Sequence, residues 1–248
     1  MDISIIIPAL NEASNISATL ATTPGDSTAE VIVVDGGSMD DTVAVAESFG
    51  AKVLLTQAGR ARQMNAGATE ASGDILMFLH ADTRLPKDFD AYIRDALAEP
   101  GAIAGAFRLE LDGRQRGLRF IEMMANWRSR RLQMPYGDQA IFIRAEVFHR
   151  FGGFPQMPLM EDFEMMRRLR KQGRIAVAPV PVVSSARRWL KLGIFRTTLI
   201  NQVVIAAYLA GAKPERIARW YNHQRKASRE AVEILKGATH EGLSKEAD

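Results

Sequence analysis

The sequence predicts an α/β fold in which a mostly parallel sheet is flanked by helices, followed by a helical C-terminal extension. Four short apolar runs alternate with helical patterns in the first 80 residues. The runs are continuously apolar, as in strands buried on both faces. The order βαβαβαβ then implies parallel strands joined by right-handed crossovers. We assign the α/β domain to residues 1–190 and the extension to residues 191–248.

The elements of the parallel half follow from these patterns. The predicted strands are Ile3–Pro8, Glu30–Asp35, Ala51–Thr56 and Asp74–His80. The helices after the first, second, third and fourth strands are Glu12–Leu20, Thr42–Phe49, Arg60–Ala71 and about Asp88–Ala98.

Beyond residue 100 the alternation ends. Strands are predicted at Ala104–Leu111 and Asp138–Arg144, with a basic helical stretch at Arg114–Leu132 between them. A helix at Glu161–Gln172 stops at Gly173, and Arg174–Val183 is extended chain whose two prolines keep it from a central position in the sheet. An apolar helix spans Gly193–Gly211, Pro214 suits the first turn of another, and the chain from Gly237 is expected to fray.

Composition excludes several classes of protein. Hydrophobic residues make up 47% and charged residues 25% of the 248 residues, as in ordinary globular proteins. A net charge of +3 is too small for a general nucleic-acid binder. The absence of cysteine excludes disulfides and thiolate metal sites, which suits the cytoplasm. The N-terminus lacks a signal-peptide pattern, and the longest uncharged stretch, Thr197–Ala212, is shorter than the ~20 apolar residues of a membrane span.

Polar residues follow each predicted parallel strand. In open α/β sheets the binding crevice lies beyond the carboxyl ends of the strands. We therefore expect one rim to collect the polar groups at the four strand ends, which are Asn11 and Glu12, Asp35–Asp41, Gln57–Arg62 and His80–Arg84.

The segment VVDGGSMDDT places Asp35 at the end of a buried strand, where a carboxylate can accept a hydrogen bond from a nucleotide base or ribose. Gly36 and Gly37 suit a tight turn. Ser38, Asp40, Asp41 and Thr42 are equally well explained as caps of the following helix. In GRARQMNAGA, Arg60 and Arg62 precede a helix, and guanidinium groups beside a helix N-terminus can bind a diphosphate. The alternative is that both arginines are simply solvated.

The segment FLHADTRLP brings an imidazole and a carboxylate to the same rim. His80 and Asp82 can both point into the crevice from a strand end. A divalent cation on a diphosphate takes one or two protein carboxylates and several waters, and Mn²⁺ tolerates an imidazole better than Mg²⁺ does. The alternative is that Asp82 caps the turn before Pro86 and His80 is half-buried.

Two further segments carry candidate chemistry. Glu161 and Asp162 start a helix, where acids favour the helix dipole, but a carboxylate there could also accept a proton from an incoming hydroxyl. In SSARRWLK, Arg187 and Arg188 beside Trp189 could clamp a phosphate and stack a ring. A basic surface loop is the alternative.

Together these segments resemble the family 2 glycosyltransferases of the Rossmann-like GT-A fold over about residues 3–190. The matching pieces are IIIPALNEASNI, VIVVDGGSMDDT, GRARQMNAGATEASGDILMFLHADT, YGDQAIFIRAEVFHRFGGF and MEDFEMMRRL. The resemblance implies a nucleotide-diphospho-sugar donor, a divalent cation (Mn²⁺ or Mg²⁺) and transfer with inversion to a small-molecule or lipid-linked acceptor.

The resemblance also assigns roles. Asp162 matches the catalytic base, with Glu161 beside it, and Asp82 matches the metal-binding last position of the D-x-D motif. His80 stands where that motif begins with an acid. SARRW resembles the QxxRW motif of processive members with Ser185 in place of Gln, which argues against a polymerase. The implied donor-binding residues are Pro8, Ala9, Asn11, Glu12, Asp35, Gly37, Arg60, Arg62, Asn65, Gly67, His80, Ala81, Arg187 and Arg188.

Two other functions remain open. A sugar nucleotidyltransferase shares the βαβ start and the substrates, but it uses a Gly-rich basic loop after the first strand, where this chain has PALNEAS. A non-catalytic module, which binds a nucleotide sugar or docks on a membrane, fits the substitution at His80.

The basic stretch from Gly113 to Met134 has two interpretations. Arginines mixed with Phe120, Met123, Met124 and Trp127 suit an interfacial helix on anionic lipid, with the protein peripheral on the cytoplasmic face of the membrane. Alternatively, the apolar residues form a core stripe beneath a solvated basic face, and we favour this burial. The arginines are Arg108, Arg114, Arg116, Arg119, Arg128, Arg130 and Arg131.

Overall fold

The computed structural model describes residues 1–23 and 29–224. It divides into two compact units, Met1–Ser185 and the chain from Ala186 onward. The boundary we predicted, between residues 190 and 191, stays a prediction. The predicted fraying from Gly237 and the last part of the predicted extension, residues 225–248, lie outside the described residues.

The first unit contains eight strands, seven α-helices and one 3₁₀ helix (Gly137–Gln139) among its described residues. The strands are β1 (Ile3–Ala9), β2 (Ala29–Asp35), β3 (Lys52–Leu55), β4 (Ile75–Phe78), β5 (Thr83–Arg84), β6 (Ala102–Leu111), β7 (Ile141–Arg144) and β8 (Arg174–Ser184). The helices are α1 (Ala13–Leu20), α2 (Thr42–Ser48), α3 (Arg60–Glu70), α4 (Phe89–Ala98), α5 (Arg116–Leu132), α6 (Ala145–Arg150) and α7 (Glu161–Leu169).

The strands form one sheet in the order β3-β2-β1-β4-β7-β6-β8-β5. Strands β1 to β4 run parallel, β7 pairs antiparallel with β4 and β6, and β8 runs parallel to β6. The mostly parallel sheet flanked by helices is therefore confirmed. Its carboxyl-terminal edge collects the loops that carry most of the candidate site residues.

Close packing holds the helices on the parallel strands. The side chains of Ile5, Ile6 and Ile7 in β1 are fully buried, which explains the continuous apolar run. A Cβ on Gly67 of α3 would lie 2.5 Å from Ile6 Cγ2 and 3.0 Å from Val34 Cγ2. Only glycine therefore allows α3 to approach the sheet this closely.

Two strands differ from the sequence prediction. Strand β4 ends at Phe78, so His80 and Asp82 lie in the turn before β5 and not in a strand. Strand β8, which we expected to stay away from the centre of the sheet, lies between β6 and β5. Its two prolines, Pro179 and Pro181, lie at a register irregularity between the pairs Ala106↔Val177 and Arg108↔Pro181. Its other side pairs with β5 only at Val183 and Ser184, so the prolines leave no ladder hydrogen bond unmade on that side.

Helix α5 corrects our preferred interpretation of the basic stretch. The buried side of α5 carries Leu118, Glu122, Ala125 and Ser129. The large apolar side chains that we expected in a core stripe are instead exposed, at 57% for Phe120, 56% for Met123, 45% for Met124 and 52% for Trp127. The prediction was wrong because the buried side of α5 is formed by a second set of residues, at i, i+4, i+7 and i+11 spacing, and the bulky apolar residues lie on the opposite side.

The second unit is helical over its described residues. It contains α8 (Arg187–Leu192), α9 (Ile194–Leu209) and a further helix that starts at residue 214. Arg188 donates to Asn201 Oδ1 at 2.8 Å and its guanidinium lies 5.3 Å from the Tyr221 ring centroid. Within the described ranges, no helix has both the length and the apolarity needed to cross a bilayer.

Candidate active site

Two adjacent acids and one arginine form a cluster of charged groups at the start of α7. Glu161 and Asp162 are the first residues of α7, where Met160 precedes them with a left-handed backbone (φ 72°). Arg60, the first residue of α3, donates through Nε to Glu161 Oε1, and its Nη2 lies 4.0 Å from Asp162 Oδ2. Only 2% of the Glu161 side chain and 15% of the Asp162 side chain are exposed. The arginine we expected on the donor diphosphate therefore compensates these buried acids.

Backbone donors orient the Asp162 carboxylate. Gly137 N–H donates to Oδ2 at 2.8 Å, and Phe163 N–H donates to Oδ1 at 2.7 Å. A Cβ on Gly137 would lie 2.9 Å from His80 Nε2 and 3.1 Å from Asp162 Oδ2. His80 and Asp162, which are far apart in the sequence, therefore lie close together, and both side chains approach Gly137 on the side where any other residue would carry its Cβ.

The pKa values of the two acids are displaced in opposite directions. Burial raises the pKa of Glu161 above its ordinary 4.5, against the opposing effect of the Arg60 charge. Burial would also raise the pKa of Asp162, but the Arg60 charge and the N–H groups of Gly137 and Phe163 lower it below its ordinary 3.8. Asp162 is therefore the more acidic member of the pair, and its carboxylate form is the one that the surrounding groups stabilise.

The carboxylate of Asp35 organises the turn after β2. It is 1% exposed. Its Oδ2 accepts the N–H groups of Gly37 and Ser38, both at 2.8 Å, and its Oδ1 accepts the Ser38 hydroxyl. Asn11 (φ 53°) ties the loop after β1 to this turn, because its N–H donates to Ser38 Oγ at 2.8 Å and its Oδ1 accepts Met39 N–H at 2.9 Å. The rim of the sheet is thus preformed by its own hydrogen bonds.

The next residues of this loop act as helix caps. Asp40 accepts the N–H groups of Ala13 at 3.2 Å and Thr42 at 3.1 Å, which are the first residues of α1 and α2. Glu12 N–H donates to Thr42 Oγ1 at 2.8 Å, and Asn15 Nδ2 donates to Glu12 Oε2 at 2.8 Å. Asp40 thus binds the first N–H group of each helix, whereas the Thr42 hydroxyl joins the loop after β1 to the start of α2.

Gln63 is a site-building residue that sequence reasoning missed. It is 4% exposed, and its Nε2 donates to the carbonyl oxygens of Ala9 and Val34, both at 2.8 Å. It therefore holds the ends of β1 and β2 and the start of α3 in one arrangement. The available signal was an amide on a helix face otherwise made of Ala61, Met64 and Ala68.

Other predicted donor contacts have structural partners in this structure. Arg62 Nη1 donates to Gln57 Oε1 at 2.6 Å. Asn65 exchanges two hydrogen bonds of 2.8 Å with the backbone of Phe154, and Gly67 is packed against the sheet as described above. Pro8 is half-buried and Ala9 buried at the end of β1. The donor-binding roles of these residues stay predictions.

The residues expected to hold the metal lie in the turn between β4 and β5. Ala81 is buried, its carbonyl accepts the Thr19 hydroxyl at 2.9 Å, and the Asp82 carbonyl accepts Ser185 N–H at 3.1 Å. Across residues 1–23 and 29–224, no group of three or more histidines and acids could hold a metal by itself. One carboxylate, at Asp82, fits a hard divalent cation that takes most of its ligands from a diphosphate and water. Metal binding stays a prediction.

The two predicted phosphate-binding arginines lie in the second unit. Arg187 and Arg188 are the first residues of α8. Their role on the donor diphosphate stays a prediction.

Comparison with known proteins adds the family context. Residues 4–156 match the family described as Glycosyl transferase family 2. A PGL/p-HBAD biosynthesis glycosyltransferase of Mycobacterium bovis is 38% identical over 113 residues, which cover 41% of this chain and 41% of that protein. Glycosyltransferase AglE of Haloferax volcanii is 38% identical over 91 residues, which cover 32% of this chain and 30% of AglE. The matches thus span less than half the length of these relatives.

Two solved structures have the same fold. The mannosyltransferase PcManGT from Pyrobaculum calidifontis, in complex with GDP-Man and Mn²⁺, superposes with a TM-score of 0.62 at 21% identity, covering 98% of this chain and 80% of PcManGT. Glucosyl-3-phosphoglycerate synthase from Mycobacterium tuberculosis, in complex with Mn²⁺, UDP and its glucosylated product, gives a TM-score of 0.61 at 21% identity, covering 86% and 81% of the two chains. At this identity the likeness shows the fold.

Proposed function

This chain belongs to the family 2 glycosyl transferases, and from that premise we propose that it is an inverting, non-processive enzyme that moves a sugar from a nucleotide-diphosphate donor to a hydroxyl acceptor. One observation carries the proposal. The Asp162 carboxylate is 15% exposed, is oriented by two backbone N–H groups and lies close to His80 across Gly137. A fixed, ionised carboxylate at a parallel-sheet rim suits a general base.

The reaction is an in-line displacement at the anomeric carbon. The acceptor hydroxyl gives its proton to Asp162 as its oxygen forms the new C–O bond, and the bond between the anomeric carbon and the diphosphate oxygen breaks with its electron pair going to the nucleoside diphosphate. Attack from the side opposite the leaving group inverts the configuration. Gly137 and Phe163 keep the carboxylate in place through their N–H groups.

Glu161 has a structural role beside the proposed base, Asp162. Glu161 has a raised pKa and takes the Arg60 hydrogen bond. Asp162 meanwhile retains its negative charge beside the same guanidinium. We therefore assign proton acceptance to Asp162 and the pairing with Arg60 to Glu161.

The donor occupies the preformed rim around Asp35, Asn11 and Glu12. Asp82 would hold a divalent cation, Mn²⁺ or Mg²⁺, which would supply Lewis-acid stabilisation of the negative charge on the diphosphate. Both solved neighbours described above contain Mn²⁺, which supports this assignment. Ser185 in place of the glutamine of processive members supports a single transfer per encounter.

A ligand-stabilisation screen followed by a turnover assay tests the proposal. A ligand that binds only the native state raises the unfolding temperature, so the full chain is screened against nucleoside diphosphates and nucleotide sugars with and without Mn²⁺. We expect at least one nucleotide sugar to stabilise the chain in the presence of Mn²⁺ and to be consumed slowly by hydrolysis. No stabilisation by any donor would overturn the proposal. Stabilisation without hydrolysis or transfer would favour the non-catalytic module that His80 also fits.

A further inference from the structure

Within residues 1–23 and 29–224, the outer face of α5 is an apolar surface that no other element covers. Phe120, Met123, Met124 and Trp127 have the i, i+3, i+4, i+7 spacing that places side chains on one side of a helix, and each is about half exposed or more. The inner face of the helix consists of buried residues, which are Leu118, Glu122, Ala125 and Ser129. The four outer side chains, which we call the α5 apolar face, therefore do not serve the core of the first unit.

Uncompensated positive charge surrounds this face. Arg116, Arg130 and Arg131 lie on the same side of α5 at 100° per residue, are exposed, and have no ion-pair partner among the described residues. The one acid of the helix, Glu122, faces inward, accepts Leu111 N–H at 2.6 Å and pairs with Arg119 at 3.0 Å. The outer surface of α5 thus offers cations to a partner and no carboxylate.

A groove adjoins the face on its β6 side. It has a volume of about 870 Å³ and is open to solvent. Its lining residues include Met123 and Trp127 from the apolar face and the four arginines Arg108, Arg119, Arg130 and Arg131, with Glu110 and Glu122 as countercharges. Guanidinium groups beside an indole and a thioether suit a ligand with a phosphate head and an apolar body.

We propose that the α5 apolar face and its arginines dock on an anionic phospholipid surface. Bulky apolar side chains enter the boundary between headgroups and acyl chains, and arginines on the same side bind the phosphates. Nucleic acid would use the arginines but would leave Phe120, Met123 and Met124 without a function. A second copy of the chain would bring the same arginines against each other at a two-fold interface, which like charges disfavour.

Helix α5 also contacts the loop that contributes Gly137 to the candidate active site. On another side of the helix, Arg128 donates to Met134 O at 2.8 Å and to Gln139 Oε1 at 3.2 Å, and its guanidinium lies 3.3 Å from the Tyr136 ring centroid. The same short segment carries Gly137, which orients Asp162. The helix that we assign to the membrane thus also braces the loop beside the base.

Vesicle flotation of the full chain tests the proposal. The probes are vesicles of phosphatidylcholine alone and vesicles of phosphatidylcholine with an equal part of phosphatidylglycerol. We expect binding to the anionic vesicles, little binding to the neutral ones, and a loss of binding as salt screens the charges. Wild-type chain that never floats with anionic vesicles at low salt would overturn the proposal.

Two pairs of substitutions locate the surface. Arg130→Gln with Arg131→Gln is expected to weaken binding to anionic vesicles about 30-fold, from the attraction of two interfacial cations. Phe120→Ser with Trp127→Ser is expected to weaken it by at least about tenfold, because apolar area leaves the interface. All four side chains are exposed, so thermal unfolding serves as the check that each variant is folded.

Matched controls carry the same chemistry elsewhere on the first unit. Phe49 is 48% exposed and Leu55 is 75% exposed, and Arg150 and Lys171 are exposed cations without an ion-pair partner among the described residues. Phe49→Ser with Leu55→Ser, and Arg150→Gln with Lys171→Gln, are expected to change vesicle binding less than twofold. Equal losses in control and α5 variants would show nonspecific adsorption. A chain that self-associates through this face, as shown by light scattering, and does not bind vesicles would assign the face to a second copy.

Discussion

Helices α7 and α5 differ in whether their charged side chains form ion pairs within the fold. In the nine residues of α7, the acids Glu161 and Glu164 are buried, and arginines compensate both of them. Arg60 pairs with Glu161, and Glu164 accepts from Arg167 at 2.7 and 3.0 Å and from Arg168 at 2.7 Å. In the 17 residues of α5, three arginines lie at the surface without an ion-pair partner in the described part of the chain.

The difference separates internal chemistry from external recognition. A buried charge without a partner is costly, so the acids of α7 require compensation within the fold. An exposed arginine costs little when unpaired and keeps its hydrogen-bonding capacity for a partner. Substitutions in and around α7 should therefore affect turnover and stability, and substitutions on the outer face of α5 should affect neither strongly.

The largest effect is expected from Asp162→Asn. The amide keeps the shape of the side chain but cannot accept the hydroxyl proton, so kcat for transfer should fall about 10³-fold. The Kd for the nucleotide sugar should change little, because the proposed role of Asp162 is on the acceptor side. Both quantities are measured on the same preparation, by steady-state kinetics and by titration calorimetry. Unchanged kcat would remove Asp162 from the mechanism.

The next effect concerns the compensation of buried charge. Arg60→Ala leaves Glu161, which is 2% exposed, without its guanidinium. We expect a loss of about 2–3 kcal/mol in the free energy of unfolding, measured with urea at neutral pH. Arg62→Ala is the matched control, because Arg62 lies two residues away on α3 and binds only the exposed Gln57 side chain in the described structure. Equal costs for the two variants would contradict the role of Arg60.

A smaller and more local effect is expected from Gly137→Ala. The new Cβ would meet the ends of two side chains, His80 Nε2 at 2.9 Å and Asp162 Oδ2 at 3.1 Å, and both can rotate away. Stability should therefore change by less than about 1 kcal/mol, while the displaced base lowers kcat by about tenfold to 30-fold. Parallel unfolding and rate measurements check this. A rate equal to that of the wild type would show that the orientation of Asp162 by this N–H group is unimportant.

The parallel half of the fold was predictable because its signals are local. Continuous apolar runs mark β1, β2 and β4, and turn residues mark their ends. Asp162 and His80 could each be found from their segments, since each belongs to a recognisable short motif.

The network around these residues could not be predicted from the sequence. The pairing of Arg60 with Glu161 joins residues 101 positions apart, and nothing in either segment indicates which partner the guanidinium takes. The role of Gly137 depends on a close approach between three loops, and that of Gln63 on the spacing between two strand ends and a helix. Such contacts follow from tertiary packing, which a single sequence does not display.

Which face of α5 is buried could not be predicted, for a related reason. Apolar spacing identifies which residues share a helix face but not whether that face meets the protein or the solvent. Here Leu118 and Ala125 pack inward, and the larger Phe120 and Trp127 lie outward. Placing the largest apolar side chains in the core therefore predicted the wrong face of α5 as the buried one.

The smallest expected effect tests this orientation directly. Phe120→Gln combined with Trp127→Gln should change the free energy of unfolding by less than about 0.5 kcal/mol per site, because more than half of each side chain is already exposed. Phe142→Ala is the contrasting variant. Phe142 is fully buried in β7, and its truncation should cost about 3–5 kcal/mol. Urea unfolding without lipid measures both. A loss above about 2 kcal/mol for the α5 pair would place these side chains in a core and would remove the surface on which the proposed membrane contact depends.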